Sequence, residues 1–276
     1  MVELQFCKLS AKGSIPSLGS IPSTGSILMN ISSIGKKILI ISDIHNDVQK
    51  LDKIIKHEAA DINLVLGDWF DSFVYDETEH YSKTAEYLLN FLNSPNNKTL
   101  FGNHDLHYLF HNTHVICSGY EHRKYNAIGE ALENDRLVTC RKFNWFAWVD
   151  NYLCTHAGLC ADFIDPTAKD LSDINLFLIK ERERANVKII SGDDHWFYAA
   201  GRARGGHYHK GGIVWLDFDR EFAPVEGLNQ IVGHTPRRQK GLTKYAGTEN
   251  YCIDTSLSQW LTVTNGKIEV KSYRDL

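Results

Sequence analysis

No apolar run in this sequence approaches the roughly 18 residues that a membrane-spanning helix needs, so the chain is not expected to cross a membrane. Basic residues are not in excess. The 30 lysines and arginines are outnumbered by 34 aspartates and glutamates, for a net charge of -4. That balance excludes the basic footprint of a duplex-DNA binder or of a protein held on anionic lipid. The six cysteines, Cys7, Cys117, Cys140, Cys154, Cys160 and Cys252, include no Cys-x-x-Cys pair. Reduced, mostly buried thiols are therefore expected, and a cysteine-based zinc or disulfide framework is not. Met1 is not followed by a basic segment and an apolar core, so no secretory signal is expected and the cytoplasm is the expected location.

What is present suits a soluble enzyme. Hydrophobic residues make up 43% of the chain and charged residues 23%, enough for one large core in a domain of this length. The first 36 residues stand apart. Ser14-Ile15-Pro16-Ser17-Leu18-Gly19 is nearly repeated by Ser20-Ile21-Pro22-Ser23-Thr24-Gly25, and the stretch carries almost no charge. Proline and glycine argue against a helix, and two repeats are too few for a solenoid. Residues 1–36 are read as a tail or arm, and 37–276 as the folded domain.

From Lys36 onward strands alternate with helices. Residues 38–41 form a continuous apolar run, as in a strand buried on both faces. Val48, Leu51, Ile54, Ile55 and Ala59 recur at helical spacing behind Asp47, a natural N-cap. Residues 62–66 predict the next strand, and Tyr81, Ala85, Leu88, Leu89 and Leu92 a second helix. Residues 98–101 predict a third strand. Two βα units in succession imply a parallel core. Residues 104–141 read as mainly helical, and 145–149 with 152–155 as a hairpin. A helix is expected over 170–187, with its charge run Lys180-Glu181-Arg182-Glu183-Arg184 in solvent. Short strands are expected at 213–218, 230–232 and 251–253, and a terminal hairpin about Asn265-Gly266. Such a mixture suits two packed sheets flanked by helices.

The chemistry gathers at strand ends. Ser42-Asp43-Ile44-His45-Asn46-Asp47, Gly67-Asp68-Trp69-Phe70-Asp71 and Gly102-Asn103-His104-Asp105 each follow an apolar run, as do Thr155-His156-Ala157-Gly158 and Gly233-His234-Thr235. Strand ends in an α/β fold share one edge, so these residues can converge on one cleft. Carboxylates, imidazoles and one amide suit two adjacent divalent cations. Asp105 is a weaker candidate, a loop residue or a support for its neighbours.

The order Asp-x-His, Gly-Asp-x-x-Asp, Gly-Asn-His-Asp, His and Gly-His resembles the calcineurin-like metallophosphoesterases, over about residues 37–260. The details lean towards the phosphoprotein-phosphatase branch and its bacterial and phage relatives. The resemblance implies an α/β (α+β in some schemes) four-layer αββα sandwich. It implies a first metal on Asp43, His45 and Asp68, and a second on Asp68, Asn103, His156 and His234. The two divalent ions are expected to be Mn, with Fe, Zn, Co or Ni as alternatives. Such a pair would activate a shared water for in-line attack and neutralise the phosphoryl oxygens. His104 is the expected general acid, with Asp71 holding its second ring nitrogen.

One departure from the branch matters. Arg-Gly usually follows the second aspartate, and here Ser72-Phe73 stands instead. Another arginine is expected to substitute for it. Arg202 and Arg204, in the loop Gly201-Arg202-Ala203-Arg204-Gly205-Gly206, and Arg220 are the candidates. The expected reaction is hydrolysis of phosphomonoesters on a protein or small molecule. The alternative is a nucleotide-directed hydrolase, with Trp69, Phe70 or Phe73 stacking a base. A non-catalytic scaffold is the third reading, disfavoured because it needs none of these side chains.

Overall fold

The computed structural model describes residues 29–133, 136–165, 167–168, 170–237, 243–245 and 248–276. Its elements run β1 (Asn30–Ile31), β2 (Lys37–Ile41), α1 (Val48–Glu58), β3 (Ile62–Val65), α2 (Thr78–Leu92), β4 (Asn97–Leu100) and α3 (Asn103–Leu109). There follow α4 (His122–Ala131), α5 (Arg136–Cys140), β5 (Phe143–Asn144), β6 (Phe146–Val149), β7 (Tyr152–Thr155) and α6 (Leu171–Ser191). The chain closes with β8 (Asn229–Val232), β9 (Thr243–Tyr245), β10 (Asn250–Cys252), β11 (Gln259–Thr264) and β12 (Lys267–Ser272).

The strands form two mixed six-stranded sheets, in the orders β12-β11-β2-β3-β4-β5 and β1-β6-β7-β8-β10-β9. In the first, β2 to β5 are parallel, with Ile41 opposite Val65 and Val65 opposite Thr99. Alternation along β2 shows why its run is apolar throughout. Ile38 and Ile40 pack in a core with Ala147, Val149, Cys154 and Ile231 of the other sheet. Leu39 and Ile41 turn the opposite way, into a core with Leu51 and Ile54 of α1 and Ala85 and Leu88 of α2. Each residue of β2 therefore serves one of two layers. The result is the expected α/β architecture of two mixed sheets flanked by helices.

Local signals account for the helix ends. The Asp47 carboxylate accepts from Lys50 N–H at the start of α1, and Asp170 accepts from Ser172 and Asp173 N–H at the start of α6. Asn265 and Gly266 both take the left-handed backbone of a two-residue hairpin turn between β11 and β12.

Two expectations fail. Residues 213–218, buried apart from half-buried Trp215, form turns and not a strand. Trp215 and Leu216 N–H both donate to Gly212 O, Glu221 N–H to Asp217 O and Val214 N–H to Phe197 O, so the segment's backbone is satisfied by turns and loop contacts and joins no sheet. The charge run of α6 is not all in solvent. Glu181 and Arg182 are buried beside Ile174, Leu178, Ala185 and Ile189, because helical spacing puts them on the inward face. Glu181 accepts from Trp196 Nε1–H at 2.6 Å and lies 3.3 Å from His195 Nε2.

The near-repeat at residues 14–25 lies outside the described residues. Within the expected arm, Asn30 and Ile31 pair in parallel with Trp148 and Val149 at a sheet edge. Cys140, Cys154, Cys160 and Cys252 are buried unpaired thiols, and Cys117 is half-buried and also unpaired. No helix among the described residues is long and apolar enough to cross a membrane.

Candidate active site

Five loops meet where the two sheets present the ends of β2, β3, β4, β7 and β8. Parallel pairing makes this possible. β2, β3 and β4 run the same way in one sheet, and β7 and β8 run the same way in the other. Backbone bonds then lace the loops together. Ile44 and His45 N–H both donate to Asp68 O, at 2.8 and 2.9 Å, and Gly233 N–H donates to His156 O at 2.6 Å. His234 N–H donates to Asp43 Oδ2 at 3.0 Å and so ties the two sheets to each other.

The backbone is tightly coiled here. Asp43, His45, Asp68, Asp71 and His234 all have left-handed φ, between 46° and 65°. That conformation costs an L-residue roughly 1–2 kcal/mol, and its concentration in one cleft marks a functional constraint. Two glycines permit the closest approaches. A Cβ on Gly102 would fall 2.1 Å from Asp68 Oδ1, and one on Gly233 would fall 2.3 Å from Asp43 Oδ2.

The structure brings together all six expected ligands. Donor atoms of Asp43, His45 and Asp68 lie within 4.8 Å of one another, and so do those of Asp68, His156 and His234. Asp68 belongs to both triads. His156 Nε2 stands 3.3 Å from Asp68 Oδ2 and 3.1 Å from Asn103 Oδ1, which adds the amide to the second triad. Separations of about 3–4 Å are those of ligand atoms around a small cation with bonds of about 2.1 Å.

Two observations test whether the residues fit metal ions. His45 Nδ1 donates to Phe70 O at 3.0 Å and His156 Nδ1 donates to Leu66 O at 2.8 Å, which turns each Nε2 lone pair into the cleft. His234 Nε2 is buried, and among the described residues it has no hydrogen-bond partner. Electrostatics agree. Burial opposes charge on His156, yet the Asp68 and Asp43 carboxylates raise it to about 9. Burial pushes the Asp68 carboxyl up, but His156 and His104 hold it well below the usual range. His234 is held well below its ordinary value by burial and by His156 and Arg204, so its ring is neutral. The cleft draws positive charge, which the His156 ring carries in the absence of metal, and the residues fit a pair of cations.

Beside the triads, His104 Nδ1 lies 2.9 Å from Asp71 Oδ2. Asp71 is the hub of a buried network. Its Oδ1 accepts from Tyr108 at 2.6 Å and from Tyr81 at 3.2 Å. His107 Nε2 approaches Oδ2 to 2.9 Å, off the line a hydrogen bond needs. Burial would raise Asp71, but the His104 hydrogen bond and the charges of His104 and His107 hold it far below the carboxylate range. His104 is raised well above its ordinary value by Asp68 and Asp71, against the cost of burial. His45 and His104 keep 30% and 18% of their side chains exposed, whereas His156 keeps none, so solvent reaches the first two.

Of the three arginines, only Arg204 reaches the cleft. Its Nε lies 3.0 Å from Asp217 Oδ2, and its Nη2 donates to Thr235 Oγ1 at 3.2 Å, next to His234. Arg202 is exposed, and Arg220 Nη1 donates to Ala203 O. Trp69 and Phe70 cannot stack a substrate base, because both are fully buried and Trp69 Nε1 donates to Thr99. Phe73 is 97% exposed.

Asp105 is the support for its neighbours that the sequence offered as one of its readings, whereas Asp254, His107 and Tyr108 escape a reading of the sequence. Asp105 welds two loops: its Oδ2 accepts from Asp68 and Gly102 N–H, both at 2.9 Å, and its Oδ1 from Trp69 N–H at 2.7 Å. Burial and the Asp68 charge push it up to about 7. Asp254, also buried and pushed up to about 7, faces Asp43 and His45. His107 and Tyr108 sit three and four positions after His104 in α3. That helical spacing is the signal that could have grouped them.

Comparison with known proteins gives the family. The calcineurin-like phosphoesterase family model matches residues 36–238, and the chain belongs to that family. It is a metal-dependent phosphoric ester hydrolase. Among solved structures, a cold-active protein-tyrosine phosphatase of the psychrophile Shewanella sp. is similar, with a TM-score of 0.57 and 16% identity, over 90% of this chain and 81% of that one. Another cold-active protein tyrosine phosphatase structure gives 0.55 and 16%, over 98% and 88%. A protein serine/threonine phosphatase from Saccharomyces cerevisiae gives 0.47 and 17%, over 89% and 83%. Comparison with curated sequences returned no significant match.

Proposed function

We propose that the protein is a dinuclear phosphomonoesterase of the serine/threonine-phosphatase type, acting on a phosphorylated protein or small molecule. The observation that carries this reading is the pairing of two triads through Asp68 with a carboxylate-held histidine beside them. Asp43, His45 and Asp68 would hold one ion; Asp68, Asn103, His156 and His234 would hold the other. Manganese is the proposed metal. When bound, the two cations supply charge for the phosphoryl oxygens and a water activated for in-line attack.

The chain's own residues supply the rest. The His104 ring is fixed through Nδ1 to Asp71, so Nε2 is the nitrogen left to deliver a proton to the leaving oxygen. Asp71 keeps that ring charged, and Tyr108 and Tyr81 keep Asp71 in place. Arg204 takes the part of the missing clamp. Its guanidinium is held by Asp217 on one side and turned toward Thr235 on the other, where it can meet a phosphate oxygen.

The nucleotide-directed reading survives through one residue. Phe73 follows Ser72 at the mouth of the second loop and is almost wholly in solvent, free to stack on a base or to meet a peptide side chain. A substrate panel decides between the readings: phosphopeptides, alkyl phosphates, nucleotides, cyclic nucleotides, dinucleoside polyphosphates and bis-p-nitrophenyl phosphate, on manganese-loaded protein. Turnover confined to monoesters supports the proposal. Preference for a diester or dinucleotide overturns it, and no turnover on any ester returns the scaffold reading.

A further inference from the structure

A second cluster of metal-binding side chains lies against the first. Cys117 Sγ is 3.3 Å from His107 Nδ1 and 3.8 Å from His104 Nδ1. Ligand atoms of His104, His107 and Cys117 all lie within 4.8 Å of one another. Zinc–sulfur and zinc–nitrogen bonds of about 2.3 and 2.0–2.1 Å at tetrahedral angles put sulfur and nitrogen roughly 3.5 Å apart. The two measured separations bracket that value. One thiol and two imidazoles form a softer donor set than the carboxylate-rich triads, and soft sets select zinc over manganese. The thiol is half-buried and the His104 ring partly exposed, so an ion can reach them from solvent.

We infer that His104, His107 and Cys117 form a third, inhibitory metal site that takes zinc. The ion binds the Cys117 sulfur as thiolate and the lone pair of His104 Nδ1, so the thiol proton and the Nδ1 proton are both released to solvent. Nδ1 is the atom otherwise given to Asp71. One nitrogen cannot serve both. Zinc therefore draws the His104 ring from its carboxylate and turns Nε2 away from the leaving oxygen while leaving Asp43, His45, Asp68, Asn103, His156 and His234 in place. Binding stands on the cluster's own geometry, and inhibition rests on the proposed role of His104.

Cobalt(II) tests binding without reference to turnover, because only a thiolate ligand gives a sulfur-to-cobalt charge-transfer band in the near ultraviolet. None of the six residues of the main site is a cysteine. The full-length protein, preloaded with manganese and titrated with cobalt, is expected to develop the band. Cys117→Ser is expected to lose it and keep two ions per chain by elemental analysis. One added equivalent of zinc should then lower wild-type turnover on an alkyl phosphate by roughly 10²–10⁴-fold, the range for loss of a positioned acid. It should spare p-nitrophenyl phosphate more, and leave Cys117→Ser nearly untouched. No band in the wild type, or a band that survives in Cys117→Ser, overturns the site. Equal zinc inhibition of both proteins overturns the inhibitory role. A band without hydrolysis of any ester would leave this metal site standing and bring down the phosphatase reading instead.

Discussion

Replacing Asp71 with asparagine separates charge from shape at the proposed proton donor. Asparagine keeps an oxygen that can accept from His104 Nδ1–H, and its amide nitrogen then falls on the side of Tyr108, whose hydroxyl can turn to accept it. The ring stays placed, but the charge holding it protonated is gone. A hydrogen bond to a charged partner contributes ~1.5–3 kcal/mol and a neutral one ~0.5–1.5. The difference of about 1–1.5 kcal/mol corresponds to roughly a tenfold loss in kcat. The sign of the pH effect follows from the groups around the ring. Burial lowers His104, and Asp68 and Asp71 raise it. Removing one raising charge brings it down, so the basic limb of kcat against pH moves to lower pH. Bound cations act on both proteins alike, so the displacement between the two profiles reports Asp71. Leaving groups provide the second axis. An alkyl phosphate should show the full loss, and p-nitrophenyl phosphate, whose leaving group needs little protonation, a smaller one. His104→Ala sets the ceiling, at ~10²–10⁴ on the alkyl ester with both metals retained. Superimposable pH profiles, or equal losses on the two esters at unchanged metal content, would remove the pair from proton transfer.

Asp68→Asn should nearly abolish hydrolysis and lower metal content in elemental analysis, because Asp68 lies in both triads and an amide cannot serve two cations equally; full occupancy with normal turnover would take Asp68 out of the site. Arg204→Ala should lower kcat/KM for a phosphomonoester by about tenfold to a hundredfold, from a charge-assisted bond of ~1.5–3 kcal/mol, with Arg202→Ala and Arg220→Ala near wild type. A silent Arg204→Ala would shift the clamp to metals and backbone and favour the nucleotide reading. Asp105→Ala strips the acceptor from three backbone N–H groups. At ~1–3 kcal/mol for each buried unpaired donor, the melting temperature should fall by at least about 6 °C; an unchanged melt would show that water replaces the carboxylate.

Much of this molecule was legible because its signals are local. The run of residues 38–41, the Asp47 cap and the Asn265-Gly266 turn each carry their own cause, and the structure shows all three. The ligand candidates were legible because strand ends of one direction must share an edge, so motif order predicted convergence. What failed depended on partners far away in sequence. Residues 213–218 have a strand's composition, but Val214 N–H is taken by Phe197 O and Phe218 N–H by Thr235 Oγ1, neither of them in a neighbouring strand. Glu181 and Arg182 read as solvated charge, yet Glu181 has the Trp196 indole to receive it inside. Choosing Arg204 over Arg202 required Asp217 and Thr235 to be in place, and neither is near it in sequence.

The left-handed residues show why even the successful motifs understate the site. Asp43, His45, Asp68, Asp71 and His234 carry the backbone that glycine usually signals, and none is glycine. Aspartate and histidine tolerate this conformation better than most residues, but a sequence gives no sign that they adopt it. The glycines that are visible, Gly102 and Gly233, act differently, by clearing space for the carboxylates of Asp68 and Asp43. Coiling turns each acidic or imidazole side chain back over its own strand end, and Asp105 and the His234 N–H lock the coils against one another. Strain of this kind persists only where surrounding bonds over-determine it. The same bonds hold two carboxylates and two imidazoles close enough to share cations. The donor set and its strained backbone are thus one construction, and loosening either lock should cost metal affinity as well as stability.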